Sequence, residues 1–162
     1  RAAQARLLLA ELMLRPDEGG KVDYVRAQRL MEDAVATNPK LPIYRESLAH
    51  LLIDLSFLEA AAEQYAMLDG ALGIDPKTPL ESARVSILLA TAADTKPDAA
   101  EIERLLAQAQ ELGAPPALIE LERHRLKLSV GARAEIEATY AALAALLEKS
   151  PDATEERLLY ID

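Results

Sequence analysis

The stretch that decides the fold is residues 41–76, LPIYRESLAHLLIDLSFLEAAAEQYAMLDGALGIDP. Apolar residues recur in it at spacings of three and four, which is typical of amphipathic helices. Pro42 suits the first turn of a helix, where its missing N–H is not needed. The stretch therefore predicts two helices folded back on each other. Their apolar stripes are predicted at Tyr44, Leu48, Leu51, Leu52 and Leu55, and at Leu58, Ala61, Ala62, Tyr65 and Leu68.

Large and small residues stand in this helix pair at positions that suggest a family. Leu48 and Ala49 form a large-then-small pair on the first helix. Phe57 stands at the turn, and Ala61 and Tyr65 follow four residues apart on the second helix. The stretch resembles a tetratricopeptide repeat (TPR), a helix–turn–helix unit of about 34 residues. The resemblance implies a right-handed superhelix of stacked repeats.

Proline-terminated helix pairs recur along the chain. The breaks fall at Pro39, Pro76, Pro115 or Pro116, and Pro151, about 37, 39 and 36 residues apart. One helix pair cannot bury both its faces, so neighbouring repeats must stack. We therefore predict an all-α fold, a tetratricopeptide-like α-solenoid of about four helix–turn–helix units plus a terminal helix. The units are predicted at residues 1–39, 40–76, 77–115 and 116–151, with the terminal helix at 152–162, all within one helical-repeat domain.

Local signals mark where helices start. Asp23 is an N-cap candidate for a helix over residues 24–37. Thr78 and Glu81 form a capping-box pattern, with Pro79 at the first helical position. Each pattern satisfies backbone N–H groups that a helix start leaves without partners.

Other signals predict helix ends and buried faces. Gly113 is a C-cap candidate. The second helix of the 41–76 stretch is predicted to continue to about Leu72. Further apolar stripes are predicted at Leu7, Leu8 and Leu12, at Ala27, Met31 and Ala34, and at Ile102, Leu105, Leu106 and Ala109. A long helix is predicted over residues 132–149, in which Ala138, Ala142 and Ala145 stand at the spacing of the repeat family.

Composition excludes several classes of protein. The 162 residues include no cysteine, which excludes disulfides and thiolate metal sites. A net charge of −9 argues against a nucleic-acid surface and against an anionic membrane surface. No apolar run approaches the roughly 20 residues that span a bilayer. The chain begins at Arg1 and ends within a predicted helix, so we interpret it as an excised fragment. Its composition, rich in Ala, Leu and Arg, favours a bacterial source. Both the cytoplasm and the periplasm are compatible with the sequence.

Motifs for catalysis are missing from the sequence. Glu120 and His124 stand four apart, but a zinc protease needs a second histidine on the same helix face. Gly19 and Gly20 lack the Lys-Ser/Thr pair of a phosphate loop. We therefore predict no catalytic residues, no metal and no cofactor.

A polar stripe on the first helix of the 41–76 stretch is the best candidate for binding. His50 stands four residues from both Glu46 and Asp54, which places the three on one helix face. The resemblance implies that the first helices of the repeats line a concave face where partners lie. An ordinary solvated helix face is the alternative. The predicted contact residues are Glu46, His50, Ile53, Asp54, Ile87, Ala90 and Glu122.

These observations predict a non-catalytic scaffold for protein–protein interaction, with a basic or amphipathic protein or peptide as partner. The Lys, Asn and Arg clamp by which some TPRs hold carboxylates is missing. The resemblance leaves open a role in bacterial envelope assembly, including cytochrome biogenesis and exopolysaccharide export. The alternative is structural self-association, or packing within a larger protein. Apolar residues near both ends would then be buried by another copy or by further repeats, namely Leu7, Leu8, Leu12, Leu158, Leu159 and Ile161.

Overall fold

The computed structural model describes residues 1–17, 19–131 and 133–149. The terminal helix predicted at residues 152–162 lies outside these ranges. Within them the chain forms eight helices and no strands, which confirms the all-α prediction. The helices are α1 (Ala2–Met13), α2 (Tyr24–Thr37), α3 (Pro42–Asp54), α4 (Leu58–Ala66), α5 (Lys77–Ala92), α6 (Ala99–Glu111), α7 (Pro116–Val130) and α8 (Arg133–Lys149).

Aspartate side chains cap the starts of α2 and α6. The Asp23 carboxylate accepts a hydrogen bond from the Arg26 N–H at 3.1 Å, as the sequence predicts. The Asp98 carboxylate accepts from the N–H groups of Ala100 and Glu101, both at 3.1 Å. These contacts satisfy backbone donors of the first turn, which is why the two helices begin where they do.

Removing the Asp98 cap should weaken the fold by a modest amount. We expect Asp98→Ala to lower the free energy of unfolding by about 1 kcal/mol, because two N–H groups of α6 lose their acceptor. Urea denaturation followed by circular dichroism measures this. The control is Gln110→Ala on the same helix, an exposed position expected to change stability by only a few tenths of a kcal/mol. Equal stabilities for the two variants would contradict the capping role.

Two helix boundaries differ from prediction. Helix α4 ends at Ala66, so its predicted continuation to about Leu72 is wrong. Beyond that end, Gly70 and Gly73 adopt positive φ angles of 72° and 75°, which a helix does not contain, and Leu72 between them is 93% exposed. The capping box at Thr78 is also wrong, because α5 already begins at Lys77.

The end of α6 follows the prediction for Gly113. This residue has a φ of 88°, and the Ala114 N–H then donates to the Ala109 carbonyl at 2.9 Å. A glycine just past the helix end is favoured there because it has no Cβ to oppose a left-handed backbone.

The chain divides into two compact units, an N-terminal unit of residues 1–78 and a C-terminal unit of residues 79–162. Alanines fully buried at helix contacts recur in the cores of both, which allows close approach of helix axes. The core of the N-terminal unit contains Ala3, Leu7, Ala10, Ala27, Met31, Ala34, Tyr44, Leu48, Leu51, Leu52 and Ala61. The main core of the C-terminal unit contains Leu80, Ala83, Ile87, Ile102, Leu105, Leu106, Ala109, Ala114, Ile119 and Leu126.

The stripe predicted on α1 faces the core only through Leu7. On α1, Leu8 and Leu12 are 59% and 53% exposed, because that helix packs against α2 through its opposite side. On α8, the three alanines that stand at repeat spacing, Ala138, Ala142 and Ala145, are exposed, while Thr139 and Leu143 are buried. The small-residue pattern therefore predicted the helix α8 but not the side of it that packs.

Candidate partner-binding surface

Glu46 is internal to the N-terminal unit. Its side chain lies on α3 and the residue is only 4% exposed. The Thr78 hydroxyl donates to Glu46 Oε1 at 2.6 Å, and the Asp75 N–H donates to the same oxygen at 2.8 Å. The expectation that Glu46 contacts a partner therefore needs correction, since its carboxylate already binds the chain that leads into α5.

The solvent side of α3 presents a continuous stripe. Its members are Ile43, Ser47, His50 and Asp54, spaced by three and four residues, and we call them the α3 surface. Ile43, His50 and Asp54 are exposed. The Ser47 hydroxyl donates to the Ile43 carbonyl at 2.8 Å, so it is partly engaged within the helix. The stripe offers a partner one apolar side chain, one imidazole and one carboxylate.

Ile53 lies beside the α3 surface rather than on it. It is half-buried and packs against the core of the N-terminal unit. A partner on α3 would therefore contact only the exposed part of the Ile53 side chain. The structure thus brings His50, Ile53 and Asp54 together at the end of one helix and withdraws Glu46 from them.

Two of the three contact residues predicted in the C-terminal unit are buried. Ile87 is 1% exposed and belongs to the main core of that unit, while Glu122 is 4% exposed. Ala90 is half-buried. For Ile87 and Glu122 the contact role is corrected to an internal one, because a buried side chain offers a partner no surface.

The Glu122 carboxylate is held by an arginine of its own helix. Arg125 Nη1 donates to both carboxylate oxygens at 2.8 Å. Burial raises the pKa of Glu122, and the nearby charges of Arg125 and Arg84 oppose that rise. The pair is thus a desolvated ion pair inside the C-terminal unit. The three-residue spacing of Glu122 and Arg125 was the signal that sequence reasoning missed.

His124 lines a cavity between α7 and α8. Its Nδ1 atom is buried without a hydrogen-bond partner. Glu120, four residues before His124, accepts a hydrogen bond from Arg123 at 2.7 Å. The cavity measures about 460 Å³ and is lined by His124, Lys127, Val130, Gly131, Ala138, Thr139 and Ala142.

His124 should make the stability of the fold depend on pH. Burial lowers its pKa, with a further lowering by Lys127 and a weaker opposing effect of Glu120. The unfolded chain then binds the proton more tightly than the folded one. This contribution to stability is fully present above the ordinary histidine value of about 6.5 and is lost as pH falls through the lowered pKa.

We expect His124→Gln to remove part of the fall in unfolding free energy between pH 7 and pH 5. Urea titrations at several pH values measure it. The matched control is His50→Gln, at the other histidine of the chain, which is exposed. An unchanged pH profile in His124→Gln would contradict the assignment.

No group of three or more His, Cys, Asp or Glu residues that could hold a metal ion occurs in the part of the chain that the structure describes. Among those same residues, no helix has both the length and the apolar character needed to cross a membrane.

A solved structure shares this arrangement of helices. It is the crystal structure of a thermophilic TPR protein from Thermus thermophilus, which superposes with a TM-score of 0.59. The match covers 99% of this chain and 97% of that chain, at 19% sequence identity. The chain has the TPR fold.

The TPR fold confirms the resemblance seen in residues 41–76 and the helical-repeat fold class. No protein-family model matches the chain, and no curated protein sequence does so. A low identity is compatible with a shared TPR fold, because each repeat restricts only a few large and small positions.

Proposed function

We propose that this chain is a non-catalytic interaction module that binds a protein or peptide partner on the α3 surface. The observation that carries the proposal is the TPR fold over 99% of the chain, because such repeats present helix faces to partners. The TPR fold typically serves interaction rather than catalysis. His50, Ile53 and Asp54 remain the proposed contact residues on and beside the α3 surface, and Ala90 remains a separate proposed contact in the C-terminal unit.

The distribution of charge favours a basic or amphipathic partner. Residues 1–40 carry a net charge of +1 and residues 41–162 carry −10, which together give the −9 of the chain. A basic segment would therefore be steered to the part of the chain that includes α3. Exposed Ile43 and Phe57, on and next to α3, supply apolar area for the same partner. An amphipathic helix with basic flanks fits both features.

A charge reversal on the α3 surface tests the proposal. The variant is Asp54→Lys, and the control is Glu63→Lys, which makes the same charge change at an exposed position of α4. Both positions are solvated, so both variants should retain their helicity by circular dichroism. The baits are compared by quantitative affinity capture from a lysate, followed by titration of the purified captured protein.

We expect one captured protein to bind the original chain and Glu63→Lys with similar affinity. Its affinity for Asp54→Lys should be at least about tenfold lower, a loss of about 1.4 kcal/mol in binding free energy. Equal binding by both variants would exclude the α3 surface. Glu46→Lys is unsuitable as a test, because that side chain is buried and bonded within the unit.

Self-association or packing within a larger protein is the second candidate. The exposed apolar side of α1 is the specific observation that favours it. It makes no use of the α3 surface, so the two functions are separable by experiment.

A further inference from the structure

Helix α1 is apolar on two opposite sides. One side carries Ala3, Leu7 and Ala10, which are buried in the core of the N-terminal unit. The other side carries Ala5, Leu8, Leu9 and Leu12, which we call the α1 outer face, and all four are exposed. Polar Gln4, Arg6 and Glu11 separate the two sides, and each apolar stripe of a helix normally packs against another element. The α1 outer face therefore lacks the packing partner that an apolar helix face normally has.

The α1 outer face is contiguous. Its residues are spaced by three, one and three positions, so their side chains form one stripe along the helix. Single exposed leucines are common on protein surfaces, but a contiguous apolar stripe marks an interaction surface. The exposed fractions of Leu8 and Leu12, 59% and 53%, leave most of each side chain available for burial.

Charge argues for a second copy of this chain as the occupant. Two copies, each with a net charge of −9, repel each other across most of their surfaces. Helix α1 lies in residues 1–40, whose net charge is +1. Two copies that meet through α1 thus avoid the repulsion that residues 41–162 would cause elsewhere.

We propose that the α1 outer face binds the same face of a second copy in an antiparallel arrangement. With the two-fold axis between Leu8 and Leu9, Ala5 of one copy lies opposite Leu12 of the other, a small residue against a large one. A parallel arrangement would place Leu12 against Leu12 and Glu11 beside Glu11, and it would align the two helix dipoles unfavourably. The antiparallel contact is self-complementary and closes after two copies.

The size of the α1 outer face limits the expected affinity of the dimer. Three leucines and one alanine from each copy form an interface of the small class, below about 1,200 Å² in total, which is typical of transient complexes. We therefore expect a weak, transient dimer whose fraction falls across a dilution series.

Sedimentation velocity over a dilution series tests the dimer. The variant is Leu8→Glu, and the control is Val25→Glu, which adds the same charge at a 64% exposed position of α2 in the same unit. The original chain and Val25→Glu should dimerise with similar constants, while Leu8→Glu should dimerise at least about tenfold more weakly. A monomer at all concentrations, or an unchanged dimer in Leu8→Glu, would overturn the proposal. Partner capture on the α3 surface is a separate readout, so either proposal can fail alone.

Cysteine cross-linking tests the orientation. The chain contains no cysteine, so Ala5→Cys and Leu12→Cys each introduce a single thiol. In the antiparallel dimer a mixture of the two variants should oxidise to the mixed disulfide faster than either variant oxidises alone. Faster oxidation of each variant with itself would indicate the parallel arrangement and overturn the antiparallel one.

Discussion

Glu46→Ala should lower the free energy of unfolding by about 2–4 kcal/mol, because it leaves one buried and one partly buried donor without their acceptor. These donors are the Thr78 hydroxyl and the Asp75 N–H, at 2.6 and 2.8 Å from one Glu46 oxygen. The loss is large relative to the about 5–15 kcal/mol that typically separates folded from unfolded chains. Chemical denaturation followed by circular dichroism measures it.

A double-mutant cycle with Thr78→Val isolates the pair. If the hydroxyl and the carboxylate act together, the two single variants should lose more unfolding free energy in sum than the double variant loses. Glu63→Ala, at an exposed position of α4, is the control for removal of a carboxylate. A Glu46→Ala variant as stable as this control, but deficient in partner binding, would restore Glu46 to the contact surface.

The second large effect is expected at the buried ion pair of the C-terminal unit. Glu122→Ala should cost about 3–5 kcal/mol, because Arg125 would keep its charge in a buried place without its partner. The two side chains are only 6% and 11% exposed. The control is Glu120→Ala, which breaks an exposed pair with Arg123 on the same helix and should cost about 1 kcal/mol or less.

Replacing both partners should behave differently. The double variant Glu122→Leu/Arg125→Met should lose far less stability than Glu122→Ala. It should be more stable than the original chain if the new side chains pack well, because no charge is then desolvated on folding. A double variant as unstable as Glu122→Ala would contradict the view that the lost partner, rather than the lost volume, causes the damage.

The stability difference at this pair should vary with pH. Burial raises the pKa of Glu122 above its ordinary value, so its contribution to stability is fully present below that value and lost as pH rises through the raised pKa. We therefore expect the stability of the double variant, relative to the original chain, to increase from pH 4 to pH 7. A difference that does not change with pH would contradict this cause.

Much of the helix pattern was readable from local sequence. Asp23 caps α2, Pro42 and Pro116 begin α3 and α7, and Gly113 ends α6. Each of these signals acts within about one helical turn, through a backbone group that a neighbouring residue satisfies or removes. The missed end of α4 belongs to the same class, since Gly70 was visible as a turn residue but lay within the predicted helix.

The binding residues were harder to predict, because burial is not a local property. Glu46 and His50 share a spacing that places them near one helix face, yet one is buried and the other exposed. The difference comes from Thr78, 32 residues away in the chain, whose hydroxyl reaches Glu46 instead of capping α5. No pattern within α3 contains that information.

Local sequence is enough to specify a helical repeat, because helix caps, helix breakers and three- to four-residue apolar spacing act between neighbours in the chain. It also placed alanines where helix axes approach, as at Ala27, Ala34 and Ala61, all fully buried. Only the tertiary structure decided which of the two apolar sides of α1 is buried, and which carboxylates are internal. These outcomes depend on which helix packs on each side, and residues distant in the sequence supply that contact.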